Sequence, residues 1–242
     1  MTNETYPPLP EKGQALFLDF DGTLAPLQDD PDTVALVDGA APLLARLADR
    51  LDGALAVISG RDIDDLARRV PDTLWRLGNH GLNIMAPGAA ALTRTDMAPA
   101  ELRGGLTGLS ADYPGTKVEN KGSVLALHYR ACPQHGEALL AAARRIVDAV
   151  EGYGVQSGKM VIEAKPSGAN KGLAIREVMK QQPFAGRVPV MAGDDVTDED
   201  GFAAVLDLGG FAVKVGEGES LAAYRLASPQ AVADWLEKGI AE

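Results

Sequence analysis

The sequence predicts an α/β protein: a Rossmann-like core on a parallel sheet, interrupted by an inserted α+β domain. Apolar runs of strand length at residues 16–18, 54–58, 75–77, 188–192 and 210–215 alternate with stretches of helical periodicity. Each run is followed by turn or polar residues, as expected of parallel strands buried on both faces. Between residues 99 and 166 the pattern changes to helix-strand-strand, twice. The simplest assembly of that insertion is a four-stranded antiparallel sheet with two helices on one face. The core is therefore expected over 1–98 and 167–242, and the insertion over 99–166.

Residues 1–13 are polar and proline-rich and read as a loose lead-in. The first strand ends in Asp19 and Asp21. Strand geometry points residues i and i+2 to one side, so both carboxylates can meet one ligand at the strand's end. Like charges this close need a cation, a shared proton or a phosphate chemistry that uses them. The plain alternative is a solvated turn, against which stand the flanking Leu18, Phe20, Leu24 and Leu27.

Leu43, Leu44, Leu47 and Leu51 give the first helix its apolar side, and Gly53 stops it. The second strand ends in Ser59, Gly60 and Arg61. Ser59 can cap the next helix or hold phosphate oxygens, and the two roles do not exclude each other. That helix carries Ile63, Leu66, Ala67 and Val70 on one face. The third strand runs into GNHGLNI, where Asn79 and His80 occupy a turn at the same edge. Residues 83–85 and 91–94 flank Pro87-Gly88, which predicts a hairpin.

In the insertion, Leu102, Leu106 and Leu109 outline a helix weakened by Gly104, Gly105 and Gly108. Strands follow at 116–120 and 123–130, a helix over 135–150, and strands at 153–156 and 159–165 turning at Ser157-Gly158. Alternation puts Glu119 and Lys121 on one side, and likewise Lys159 and Glu163; His128 and Arg130 share a face. Such a face is either simply solvated or a polyol clamp, with carboxylates accepting sugar hydroxyls and cations donating to them.

The core resumes at KPSGANKG. Asn170 is a good N-cap, Lys171 falls in the first turn, and Leu173, Ile175, Val178 and Met179 supply the apolar side. A cation there opposes the macrodipole, so a phosphate or carboxylate cluster should compensate it. The next strand ends in GDDVTDEDGF. Thr197 and Asp200 mimic a capping box, while Asp194 stands at the strand's end as Asp19 does. Neighbouring strand ends bearing such acids make an oxygen-only site of the kind Mg²⁺ prefers. The final helix carries Val232, Trp235, Leu236 and Ile240.

A net charge of −11 over 242 residues argues against nucleic acid or an anionic membrane as a partner. Cys132 is the only cysteine, which excludes an internal disulfide. No signal-peptide core or membrane-length apolar run is visible. A soluble, cytoplasmic, monomeric protein with a small-molecule substrate is the expectation.

DFDGTL and VISGR resemble the first two signatures of the haloacid-dehalogenase superfamily. In it the first acid is the nucleophile, the second the general acid/base, and the Ser binds the phosphoryl group. Adding GNHGLNI, VENKG, LHYR, VIEAKPSGANKG and GDDVTDEDGF, nearly the whole chain resembles the trehalose-6-phosphate phosphatase family. The resemblance implies that Asp19 takes the phosphoryl group and Asp21 moves the proton. Lys171 and Ser59 would hold phosphoryl oxygens, and Asp19, Asp194 and the Asp21 carbonyl would hold Mg²⁺. Asp195 and Asp198 would orient the metal from behind, and the insertion would be a cap domain. Glu119, Lys121, Arg130, Lys159 and Glu163 match the family's trehalose-holding positions, with Asn79 and His80 as further sugar contacts. The alternatives are a phosphatase for another sugar phosphate such as sucrose 6-phosphate, a phosphoacceptor module, and a non-catalytic sensor.

Overall fold

The computed structural model describes residues 6–89, 97–158 and 160–241, and contacts divide the chain into two compact units, Met1–Leu92 with Asn170–Glu242, and Thr93–Ala169. The first unit opens with β1 (Gln14–Asp19), α1 (Ala40–Arg50), β2 (Leu55–Ile58), α2 (Ile63–Arg69), β3 (Trp75–Gly78) and β4 (Asn83–Met85). All six residues of β1 are buried, because parallel partners flank it on both sides. β4 runs antiparallel to β3, and residues 91–94 of the expected hairpin lie outside the described residues.

Residues 7–10 of the lead-in are tied down rather than loose. Pro7 and Pro10 are buried, and Trp235 Nε1 donates to the Pro8 carbonyl at 2.8 Å. Gly239 makes room for this, since a Cβ there would stand 2.7 Å from Pro10 Cδ.

The second unit comprises α3 (Ala100–Asp112), β5 (Lys117–Lys121), β6 (Val124–His128), α4 (Gly136–Val147), β7 (Tyr153–Gly158) and β8 (Val161–Pro166). Its strands form an antiparallel sheet in the order β5-β6-β8-β7. Leu125, Leu127, Ile162 and Ala164 pack with Leu102 and Leu106 of α3 and Leu139, Ala143 and Val147 of α4. α3 forms despite its glycines, and Gly105 has a packing reason: a Cβ there would meet Ile146 Cγ2 at 2.6 Å.

Two details differ from the sequence expectation. β6 ends at His128, so Arg130 lies in the following turn and not on the strand. The β7–β8 turn falls beyond Gly158, which pairs with Val161. Gly158 serves close approach instead, since its Cβ would meet Val161 Cγ1 at 2.9 Å.

Returning to the first unit, the chain adds α5 (Lys171–Val178), β9 (Val188–Gly193), α6 (Glu199–Asp207), β10 (Phe211–Val215), β11 (Tyr224–Leu226) and α7 (Pro229–Ala241). The sheet order is β11-β10-β9-β1-β2-β3-β4, parallel except at β4. β11 was not signalled by the sequence, because three residues at a sheet edge need no apolar run. Leu16 and Leu18 face a core shared with α1 and α7; Ala15 and Phe17 face one shared with α5 and α6. This two-sided cover leaves the strand ends as the accessible part of the sheet.

α5 turns differently from the expected helix. Its buried stripe is Lys171, Ala174, Ile175 and Val178, which leaves Leu173 53% exposed. The helical spacing starts from the lysine, so the expected apolar position at 173 falls on the outer side. The capping box after β9 is also displaced, formed by Asp195 and Asp198 rather than by Thr197 and Asp200.

Candidate active site

β1 and β9 are hydrogen-bonded neighbours, with Leu18 opposite Ala192, so Asp19 and Asp194 emerge side by side. Lys171, first residue of α5, reaches between the acids. Its Nζ donates to Asp19 Oδ1 and to Asp198 Oδ1, both at 2.6 Å. The other oxygen of Asp198 accepts from the backbone N–H groups of Asp194 and Asp195, at 3.0 Å each. Asp198 thus fixes the turn that carries Asp194. Lys214 Nζ, also buried, donates to the Asp194 carbonyl.

Gly22 is required here for two reasons. Its φ of +84° lies in the left-handed region, and a Cβ would stand 2.1 Å from Asp194 Oδ2. Thr23 adds a long hydrogen bond to Asp194 Oδ1 at 3.5 Å.

Asp19 is 5% exposed, and burial raises its pKa well above the ordinary range, with Asp198 and Asp194 adding to the rise and Lys171 opposing it. Burial also raises Asp194, to about 7, helped by Asp198 and Asp195. For Lys171, burial alone would pull downward, but Asp19 and Asp198 more than offset it and keep the ammonium charged. Oxygen atoms of Asp19, Asp194 and Asp198 lie within 4.8 Å of one another. The cluster is short of positive charge, and its donors are all oxygen. These residues fit a hard divalent cation, which relieves their mutual repulsion.

That charge shortage predicts a pH dependence. Asp194 has a folded-state value of about 7 against 3.8 for the unfolded chain, so the folded chain holds more protons than the unfolded chain in between. This group's contribution to the stability of the cation-free protein should therefore fall as pH rises from about 4 to about 7. Mg²⁺ competes with the proton for these oxygens, so the rise in Tm it causes should be small near pH 5 and larger near pH 8. Thermal melts with Mg²⁺ and with a chelator measure this; equal shifts at both pH values would contradict it.

Asp21 points to a different partner. Arg61 Nε donates to Asp21 Oδ2 at 2.7 Å and Nη2 to Oδ1 at 2.6 Å, a two-pronged ion pair. The sequence alone assigns Arg61 no role; its signal there is its place two residues beyond Ser59. Burial opposes the guanidinium charge, but Asp21 and Asp65 more than offset this and hold its pKa above the ordinary value.

Ser59 is buried, and its Oγ accepts from the Arg61 backbone N–H at 3.0 Å, so it begins the loop as a cap would. Asn79 and His80 are buried and both adopt positive φ, 50° and 57°. Their N–H groups donate to the carbonyls of Arg61 and Ser59, at 2.7 and 2.9 Å, which knits this turn to the Ser59 loop. The imidazole of His80 lies over Gly60, where a Cβ would come within 2.7 Å of Cε1. Asn79 Nδ2 donates to Asn83 Oδ1 at 2.7 Å. Asp195 is exposed and caps Val196 N–H at 2.7 Å.

The remaining expected residues belong to the second unit. Cross-strand register aligns Glu119, Ala126, Glu163 and Gln156 in one row, on the face opposite the helices. Lys121 Nζ donates to Glu163 Oε1 at 3.1 Å, and Glu119 Oε2 pairs with His128 Nε2 at 2.8 Å. The His128 hydrogen bond, aided by Lys121, lowers the pKa of Glu119. Arg130 is exposed, and Lys159 lies outside the described residues.

Paired strand-end acids, a buried lysine and a hydroxyl on a parallel sheet, with a second unit inserted between sheet segments, are the arrangement of a haloacid-dehalogenase-like fold. Consistent with that fold, a haloacid dehalogenase-like hydrolase from Bacteroides thetaiotaomicron superposes with a TM-score of 0.68 at 15% identity, over 94% of this chain and 99% of that one. The C-terminal domain of C. albicans trehalose-6-phosphate phosphatase gives a TM-score of 0.83 at 22% identity, over 95% and 93%. The family model described as trehalose-phosphatase matches residues 17–230. Trehalose-6-phosphate phosphatase of Escherichia coli strain K12 is 43% identical over 228 residues, 92% of this chain and 85% of that protein. The chain belongs to the trehalose-phosphatase family.

Proposed function

We propose that this protein hydrolyses trehalose 6-phosphate to trehalose and inorganic phosphate through an aspartyl-phosphate intermediate, the last step of trehalose biosynthesis. The observation that carries the reading is the Asp19–Lys171–Asp198 array beside Asp194, in a chain of this family. Asp19 attacks phosphorus, and the bond between phosphorus and the sugar oxygen breaks. Asp21 gives its proton to that oxygen, then takes one from the water that attacks the aspartyl phosphate. Lys171 and Ser59 hold phosphoryl oxygens, and Asp198 keeps Lys171 aimed at Asp19. Asp19, Asp194 and the Asp21 carbonyl would hold Mg²⁺, with Asp195 and Asp198 orienting them; when bound, the ion neutralises phosphoryl charge.

Residues 99–166 are read as a cap domain whose polar sheet face takes the disaccharide. Glu119 and Glu163 accept sugar hydroxyls while Lys121, Lys159 and Arg130 donate to them. Asn79 and His80 are the further proposed sugar contacts. The protein is taken to act as a cytoplasmic monomer without nucleic-acid or membrane partners; no helix among the described residues is long and apolar enough to cross a membrane. Phosphate release from trehalose 6-phosphate, sucrose 6-phosphate and glucose 6-phosphate, with and without Mg²⁺, tests the reading. Fast Mg²⁺-dependent release from the first alone is expected; preference for sucrose 6-phosphate would transfer the assignment to that ester.

A further inference from the structure

We infer that Arg61 is a positioning residue for the hydrolytic reaction, acting through Asp21 rather than on substrate. This rests on the phosphatase reading and adds a residue to it. A carboxylate on a short side chain turns broadly about its terminal torsion, which is two-fold and soft. The two parallel hydrogen bonds from Arg61 remove that freedom. Each Asp21 oxygen accepts only one of them, so lone pairs remain for the transferred proton.

Arg61 is itself anchored on every side. Its Nη1 donates to Asp65 Oδ2 at 2.8 Å, its Nη2 to the Pro31 carbonyl at 3.1 Å, and its guanidinium lies 5.4 Å above the Phe20 ring. Asp65 is gripped in turn by Arg69, through Nε at 3.0 Å and Nη2 at 2.9 Å. Arg69 Nη1 reaches the Val34 carbonyl at 2.5 Å. The fork on Asp21 is thus the end of a chain running from α2 through two arginines and an aspartate. Because the Arg61 N–H also caps Ser59 Oγ, the same residue sets a proposed phosphate ligand and the proposed proton carrier in one register.

A plain structural staple would make the same contacts, so the test reads coupling. Single-turnover rates and steady-state constants are measured with trehalose 6-phosphate and Mg²⁺ for wild type, R61A, D21N and the double variant. R61A should lower kcat by roughly 10- to 100-fold with KM changed less than about twofold. In the D21N background the same change should cost less than about threefold, because the group it positions is gone. R61K should recover little, since an ammonium cannot make the fork, whereas added guanidinium ion should partly restore R61A. If R61A does not fold, D65N, which keeps Arg61 but weakens its anchor, should lower kcat severalfold in wild type and not in D21N.

Additive losses, a loss carried by KM, or full activity in R61K would overturn the role of Arg61. A wild-type protein inactive on every phosphate ester would instead sink the phosphatase reading, and this inference with it.

Discussion

Replacing Asp19 by asparagine is expected to lower turnover by about 10⁴-fold or more while the protein stays folded. Asparagine has nearly the same shape, and its amide oxygen can still accept from Lys171, but it offers phosphorus no anionic nucleophile. Stability should not fall. Asp19, Asp194 and Asp198 crowd within 4.8 Å, and burial already resists the Asp19 charge. Removing one of three acids relieves repulsion, as at many sites where function holds a strained charge arrangement. Near pH 8 without a divalent cation, the variant should melt at or a few degrees above wild type, about 2–4 °C per kcal/mol gained. It should also respond less to Mg²⁺. Phosphate-release assays and paired thermal melts check both halves. Retained turnover would remove Asp19 from the nucleophile's role, and a collapsed fold would mean its charge is structural.

Lys171→Met has the opposite thermodynamic signature. The ammonium is buried between two carboxylates at 2.6 Å each, and deleting one partner of such a group leaves the others uncompensated. Losses of about 3–5 kcal/mol are usual when a buried ion pair is broken from one side. For a chain of this size that corresponds to a Tm lower by roughly 10 °C. The sign of the pH dependence follows from what remains. Without Lys171 the acids hold protons more firmly, so the penalty should shrink near pH 5 and grow near pH 8. Turnover should be lost with stability, because the same ammonium is proposed to hold a phosphoryl oxygen. Calorimetry at both pH values and phosphate release measure this. An active, fully stable K171M would remove the lysine from both roles.

Much of the architecture was legible because buried parallel strands write themselves as short apolar runs closed by functional residues. The ends of β1, β2 and β9 were found this way, and with them Asp19, Ser59 and Asp194. Other features were hidden for identifiable reasons. Arg61 reads as an ordinary arginine until the sheet order brings it to Asp21, forty positions earlier. Leu173 reads as core because apolar residues usually mark a helix's inner side, whereas the buried stripe of α5 begins at Lys171. Arg130 reads as part of a strand because its neighbours alternate, but pairing with β8 stops at His128. Gly158 looked like a turn and instead gives Val161 room.

The sequence by itself determined which chemical groups stand at which strand ends and that a separate helix-and-sheet unit interrupts the core. Those properties depend on local periodicity and on residues a few positions apart. Only the tertiary structure decided the partnerships: Lys171 with Asp19 across 152 positions, Thr23 with Asp194 across 171, and the Arg61 fork on Asp21. Such contacts are set by which strands lie side by side and how far each side chain reaches. Their charge states follow from burial, which no single residue encodes.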